Sequence, residues 1–330
     1  MCLAAVLSGC HDVEPYTNDP VGNFEQLWRI IDEHYCFLNE KGLDWNEVHT
    51  RYRKRVSNDM SASELFNVCA EMLAELRDGH TNLSAPFNTS YYRAWWSDYP
   101  QNYNERVVQQ YYFNFNYLTV GGTYYGILPE NIAYVRYPSF SYSLGEGNID
   151  NILSYCATAD GLIIDIRDNG GGLMDMVETL VGRFIDAPIL AGYMIHKTGP
   201  GHSDFSEPYA YNIKPASQTR IHWAKPVVVL TNRSTFSAAN NFVSVMQYLP
   251  NVSIVGARTG GGSGLPFNSE LSNGWGVRFS ACSVLDAKGQ VTEMGIEPTE
   301  GCAVDLDEEA ALQGRDTMLD FAINLLISKS

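Results

Sequence analysis

The sequence predicts an α/β protein preceded by a small helical N-terminal part, and three observations predict it. Short, continuously apolar strand-like runs at residues 132–137, 162–166, 227–230 and 254–255 alternate with helical patterns at about 149–156, 173–185 and 236–248, the rhythm of an α/β layer. Because these runs do not alternate apolar with polar residues, both faces of their sheet are expected to be covered. Ahead of them, residues 24–77 carry the 3.6-residue periodicity of helices.

Taken in order, Phe24, Leu27, Ile30, Ile31 and Tyr35 mark the apolar stripe of a first helix, and residues 45–56 form a second. Leu65, Phe66, Cys69, Met72, Leu73 and Leu76 mark a third, which Ser61 and Glu64 would open as a capping box. That helix runs into the turn Asp78-Gly79-His80-Thr81. Residues 84–124, rich in Tyr, Trp, Asn and Phe, read as irregular strands and loops. After the α/β stretch a late strand pair flanks Asp286-Ala287-Lys288-Gly289, and a helix covers about 316–327. Four segments result: 1–23 as leader remnant and linker, 24–83 as a helical domain, 84–124 as an aromatic-rich connection, and 125–330 as the α/β core.

Composition excludes several classes of function. The 330 residues are 45% hydrophobic and 18% charged, with a net charge of −16, which describes a dense globular chain that repels phosphate backbones and anionic head groups. Nucleic acid is therefore excluded as a partner. The seven lysines are Lys41, Lys54, Lys197, Lys214, Lys225, Lys288 and Lys329. Cys36, Cys69, Cys156, Cys282 and Cys302 are scattered, with neither a CxxC pair nor a histidine at ligand spacing, so neither a metal site nor a cofactor is expected. These five read mostly as buried thiols.

The chain begins with an apolar run ending in Leu7-Ser8-Gly9-Cys10, followed by polar, Pro-containing sequence. This resembles a bacterial lipoprotein signal in which Cys10 becomes the lipidated first residue of the mature protein, anchoring it in the cell envelope facing the periplasm or exterior. The basic segment that opens such signals is missing, so the true start is expected upstream. The other reading of residues 1–10 is a buried apolar strand, for which the polar residues 11–23 leave little to pack on. No run of ~18 apolar residues spans a membrane elsewhere, so membrane contact is expected only through the lipid.

Two segments carry chemistry. In the first, the strand Asp160-Gly161-Leu162-Ile163-Ile164-Asp165 leads through Ile166-Arg167-Asp168-Asn169 to Gly170-Gly171-Gly172. Successive glycines at a helix start let backbone N–H groups point outward together, which suits an anion or a developing oxyanion. The segment lacks the lysine and spacing of a phosphate loop. In the second, Val227-Val228-Val229-Leu230 ends in Thr231-Asn232-Arg233-Ser234-Thr235-Phe236-Ser237-Ala238, with serines at a helix start where the dipole favours negative charge. Ser234, Thr235 and Ser237 also suit plain helix caps.

Together with Leu76-Arg77-Asp78-Gly79-His80-Thr81, Ile254 to Gly264 and Met294-Gly295-Ile296-Glu297-Pro298, these segments resemble the tail-specific, or C-terminal processing, family of serine peptidases, which includes the tricorn core protease. The resemblance implies a crotonase-like or ClpP-like stack of ββα units, a peptide or protein substrate, Ser237 as nucleophile, and an oxyanion hole from Ala238 N–H with Gly170 or Gly171. Family members with a Ser–Lys dyad carry the lysine in a TxGKG-like motif, where this chain has Gly262. The tricorn-like branch uses a histidine from the preceding domain, matched by His80, whose ordinary pKa of ~6.5 suits a general base. The glutamate that orients it is matched by Glu293, although the family position falls one residue earlier, on Thr292. Gly79 stands where tricorn has a serine. Asp165, Arg167 and Asn169 are expected to hold the glycine turn in shape. About fifty residues separate Leu83 from Ile132, too few for the family's PDZ module. Two rivals stay open: a non-catalytic protein on the same fold, as in the retinoid-binding relatives, using the aromatic stretch 91–117; and a crotonase-type acyl-CoA enzyme, which shares the fold class but lacks the serine motif.

Overall fold

Residues 16–142 and 144–329 are described by a computed structural model. Cys10 and the other residues of the leader reading lie outside the described residues. Helix α1 (Pro20–His34) opens on Asp19, whose carboxylate accepts the Gly22 N–H at 2.9 Å, with Pro20 at its first position. It buries Phe24, Leu27 and Ile31. Helix α2 (Trp45–Arg53) is capped by Asp44, and α3 (Ala62–Ala74) by both arms of the Ser61/Glu64 capping box. The apolar faces of all three share one core with Leu271, Trp275, Val277 and Phe279, far along the chain.

The next residues form a hairpin, β1 (Asn82–Ala85) and β2 (Asn88–Thr89). Two short helices follow, α4 (Ala94–Ser97) and α5 (Glu105–Val107), the second continuing as a wide turn over Val108–Tyr112. The aromatic segment then enters strands β3 (Leu118–Val120) and β4 (Thr123–Ile127). Beyond it come β5 (Ile132–Arg136), α6 (Glu146–Cys156), β6 (Gly161–Asp165), α7 (Met174–Val181), β7 (Ile189–His196), β8 (Tyr209–Ile213), β9 (Val227–Thr231), α8 (Ala238–Met246) and β10 (Val252–Gly256).

One six-stranded sheet runs β10-β9-β6-β5-β4-β3, parallel from β10 to β5 and antiparallel at the β4 and β3 edge. Strands β5, β6, β9 and β10 are buried along their whole length, as continuous apolar runs require. Alternate residues serve opposite faces. Leu162, Ile164, Val227, Val229 and Ile254 pack with Phe242 and Val177, while Ile163, Val228, Leu230 and Val255 pack with Met318, Leu319 and Ala322 of the terminal helix α10.

Strands β11 (Gly264–Glu270) and β12 (Gly276–Leu285) precede α9 (Glu308–Leu312) and α10 (Thr317–Ile327). They belong to a second sheet with strand order β2-β1-β12-β7-β8, β11 also pairing with β12, in which every pairing is antiparallel. The late strand pair therefore differs from expectation: β12 pairs with β11, β1 and β7, and beyond the 286–289 turn only a bridge joins Leu285 to Val291. Between Leu83 and Ile132 the chain holds only short strands and turns, with no PDZ domain among the described residues. No helix among the described residues is long and apolar enough to cross a membrane.

Buried charges fasten the parallel sheet to α10. The Arg167 guanidinium donates to both Asp165 oxygens, at 3.1 and 2.6 Å through different nitrogens onto Oδ2, and to both oxygens of Asp316, the α10 cap. All three residues are at most 1% exposed, so these bidentate pairs satisfy one another in place of water.

Candidate active site

Strand β9 ends at Thr231, and the turn that follows is tied down before it reaches α8. Thr235 Oγ1 donates to Ile166 O at 3.0 Å, and Asn232 Oδ1 accepts the Asp168 N–H at 2.9 Å. Phe236 N–H donates to Asn169 O, and Ser237 N–H to Gly261 O. These bonds leave Ser237 at φ 57°, ψ −123°, a conformation costing about 1–3 kcal/mol for a residue with a side chain. Ser237 occupies the cap position of α8, yet its side chain makes no capping hydrogen bond. Its Oγ instead lies 3.0 Å from His80 Nε2, a residue 157 positions away.

His80 reaches the serine from the turn after α3. Its backbone N–H donates to Asp78 Oδ1 at 2.7 Å, and Asp78 Oδ2 accepts the Ser280 hydroxyl at 2.8 Å. Burial lowers the His80 pKa below its ordinary value, with Arg278 and Lys41 acting in the same direction and Asp78 against them. Burial would raise Asp78, but Lys41, His80 and the two hydrogen bonds outweigh it and hold the carboxyl below its usual range. Burial thus disfavours the protonated ring, and the neutral tautomer that carries its proton on Nδ1 would let the Nε2 lone pair accept the Ser237 hydroxyl.

The placement of Glu293 requires a correction to its expected contact with His80. Its carboxylate is fully engaged elsewhere: Oε1 accepts from Lys41 Nζ at 3.0 Å, and Oε2 from Ser263 N–H at 2.9 Å. His80 Nδ1 makes no hydrogen bond among the described residues. Burial and the Asp78 charge push Glu293 up to about 7, against the pull of Lys41. Lys41 also donates to the carbonyls of Leu76 and Arg77, at 3.0 and 3.3 Å, so Glu293 reaches His80 only through Lys41 and the end of α3. The sequence offered no periodicity or motif that singles out Lys41. The family-aligned neighbour Thr292 faces α8 instead, accepting from Asn240 Nδ2 at 3.2 Å.

The expected oxyanion donors also divide. Ala238 N–H makes no hydrogen bond among the described residues, whereas Gly171 N–H is already donated to Asn169 Oδ1 at 3.0 Å. Gly171 is therefore corrected from donor to spacer. Gly172, rather than Gly170, lines the cavity beside Ser237, His80 and Ala238. Nothing in the run of three glycines tells them apart before the turn is folded.

Two departures from the family pattern have one physical cause. The Phe236 ring stacks on Trp95 of α4 at 4.1 Å and lies 4.8 Å from the His80 ring. A side chain at Gly262, where φ is +78°, would place its Cβ 2.4 Å from Phe236; one at Gly79 would place it 2.5 Å from the Trp95 indole nitrogen. The aromatic wedge thus occupies the space that a lysine at 262 or a serine at 79 needs. It also gives the aromatic segment a packing role at the site.

Residues 131–301 match the model of peptidase family S41, and residues 16–74 that of the tricorn protease C1 domain. The chain is 29% identical over 170 residues to the carboxy-terminal processing protease CtpA of Bacillus subtilis (strain 168), a match covering 51% of this chain and 34% of that protein. The chain spans about a third or less of the length of the curated relatives it matches. A crystal structure from Parabacteroides merdae ATCC 43184, assigned as a peptidase, is 47% identical with a TM-score of 0.90, covering 95% of this chain and 98% of that one. Mature CPAF shares the fold, with a TM-score of 0.72 at 13% identity over 94% of this chain and 98% of that one.

Placing a lysine at the family position is expected to fail. Gly262→Lys in a His80→Ala background should leave peptide hydrolysis absent and lower stability by about 1–3 kcal/mol or more through overpacking, as read by chemical denaturation. Recovery of hydrolysis would show that the wedge does not decide the base.

Proposed function

The chain belongs to peptidase family S41, and we propose that it is a serine endopeptidase in which Ser237 is the nucleophile and His80 the general base. The observation that carries this reading is the 3.0 Å contact between Ser237 Oγ and His80 Nε2, made by a strained serine whose hydroxyl does not cap its helix. Ser237 Oγ attacks the peptide carbonyl carbon as Nε2 takes the hydroxyl proton. That proton passes to the departing amine, leaving an acyl-enzyme. A water molecule, deprotonated by His80, then attacks the ester and releases the second product and the serine. In this reading Ala238 N–H, with the N–H of Gly170 or Gly172, donates to the charge that develops on the carbonyl oxygen, and the start of α8 adds its positive dipole end.

Catalysis is favoured over ligand binding alone because the features that suggested binding have packing explanations. Gly79 accommodates Trp95, and Trp95 covers Phe236. Asp78, Lys41 and Glu293 act as positioning residues that fix the backbone on either side of the dyad. The substrate class is a peptide or protein.

The location we propose is the cell envelope, with Cys10 as the lipidated residue, supported by the Leu7-Ser8-Gly9-Cys10 sequence. In a bacterial host, the chain carrying a complete signal should partition with membranes and incorporate labelled fatty acid. Cys10→Ala should abolish both, and label retained in that variant would refute the anchor.

Ser237→Ala and His80→Ala are each expected to lower peptide hydrolysis by at least about 1,000-fold, and Ser237→Ala to abolish labelling by a fluorophosphonate. Full hydrolysis in either variant contradicts the assignment.

A further inference from the structure

We propose that the groove lined by Leu265, Phe267, Phe279, Tyr209, His34 and His196 takes an aromatic side chain of the peptide substrate, a few residues away from the bond that Ser237 attacks. The inference rests on the reading of Ser237 as the reacting residue and adds a substrate class to it. The groove holds about 490 Å³ and is separate from the cavity of about 110 Å³ that has Ser237 and His80 in its lining, yet Leu265 lines both. A chain seated at the serine therefore continues into the groove along the protein surface. Extended peptide advances ~3.3 Å per residue, so passing one shared side chain takes only a few residues.

Strand β11 shapes the groove. It pairs with β12 alone among the described strands, so its outer edge is open, and Pro266, which cannot donate to a ladder, is at home on such an edge. The register shifts between Leu265 and Pro266, a bulge of the kind that bends a strand and re-aims its side chains. Before the shift Leu265 stands opposite Cys282, which is paired in turn with His196 of β7; after it Phe267 stands opposite Phe279. Phe279 is buried in the core of the helical segment, and the His34 ring at the end of α1 stacks on it at 6.4 Å. The His196 ring lies 6.1 Å from Tyr209 of β8. Rings carried by one helix and four strands thus converge on one concavity.

Two of these rings have no packing role that accounts for them. Phe267 is 57% exposed and Tyr209 48%, and neither belongs to any of the three cores. Apolar side chains scattered singly over a surface need no partner, but two that share a concave site with a buried aromatic floor mark a place where apolar surface is covered. The walls select the guest. An aromatic ring meets the surrounding rings edge to face or offset-stacked, contacts that an aliphatic side chain does not make. A carboxylate would give up its hydration against Leu265, Phe267 and Phe279. A cationic side chain would be repelled by Lys197, and no acidic residue of the lining offsets that charge.

The test reads binding before turnover, so that it stands apart from the catalytic assignment. Full-length Ser237→Ala protein is titrated with acetyl-decapeptide amides of glycine and alanine that carry one Phe, Leu, Ser or Glu at the centre, and is photocrosslinked to the twin carrying p-benzoylphenylalanine there. The Phe peptide is expected to bind about tenfold more tightly than the Ser and Glu peptides, and more tightly than the Leu peptide. Crosslinks should fall within Leu265–Ser269 or on Tyr209. Phe267→Ser and Tyr209→Ser, both at exposed positions, should each remove most of the preference, whereas Leu312→Ser, 88% exposed and outside the groove, should leave it. With Ser237 intact, the Phe peptide should slow fluorophosphonate labelling and the Ser peptide should not. Equal binding of the Phe and Ser peptides, a preference unchanged in both groove variants, crosslinks confined to other segments, or groove crosslinks without protection of Ser237 would overturn the proposal. So would a dimer in solution that Phe267→Ser dissociates, which would mark the groove as a contact between copies. Labelling of Ser237 without any Phe preference would remove this inference alone, whereas groove crosslinks in a protein that no fluorophosphonate labels would remove the catalytic reading and keep the groove as a site for aromatic peptides.

Discussion

The Lys41–Glu293 ion pair lies between the helical segment and the loops around Ser237, with both side chains 4% exposed. Two charges held so far from water are tolerable only when hydrogen bonds replace hydration. Here both are hydrogen-bonded: the ammonium donates to Glu293 and to the last two carbonyls before Asp78, and the carboxylate accepts from Lys41 and from Ser263 N–H. One end therefore fixes the turn that presents His80, and the other fixes the glycine loop that supports Ser237. Removing Glu293 leaves the Lys41 charge uncompensated at the join, a loss of about 3–5 kcal/mol in comparable buried pairs. The 3.0 Å serine–histidine contact is a product of that join as much as of the two residues themselves.

The aromatic wall beside His80 bears on the position where the resemblance to Ser–Lys peptidases implies a lysine. A lysine at 262 would need the volume filled by Phe236 and Trp95, and the buried lysine the chain does possess has all three of its hydrogens committed. Its work is to hold backbone in place. The aromatic stretch 84–124, unlike the other segments in having no clear periodicity, contributes Trp95 from a single helical turn and so completes the wall above the dyad.

How much of this is legible in the sequence depends on whether a feature is local. The parallel strands β5, β6, β9 and β10 are readable because burial on both faces writes a continuous apolar run. The capping box of α3 is readable because its two partners lie three residues apart. The serine turn is readable because it is a polar break at the end of an apolar strand, although Ile166, Asp168, Asn169 and Gly261, which tie it down, lie far along the chain. Strands β7, β8 and β11 are not, since their exposed and half-buried positions mix polar with apolar residues and only pairing across the chain defines them. Lys41 is hidden for the same reason, 252 positions from its partner. Glu293 is found by its motif but given the wrong contact, because a one-residue offset along the chain says nothing of which neighbour the folded carboxylate meets. The glycine run shows a turn without showing which N–H stays free, which Asn169 decides by engaging Gly171.

The central claim is that a buried, neutral imidazole takes the Ser237 proton, and the pH dependence of fluorophosphonate labelling tests it most directly. The base must be unprotonated to act, and burial lowers the His80 pKa. The acid limb of the labelling rate should therefore fall below the ordinary histidine value of ~6.5, with activity retained down to that limb and lost beneath it as the ring gains a proton. His80→Gln should remove the limb together with most of the rate. A limb above the ordinary value, or an unchanged profile in His80→Gln, would contradict the account.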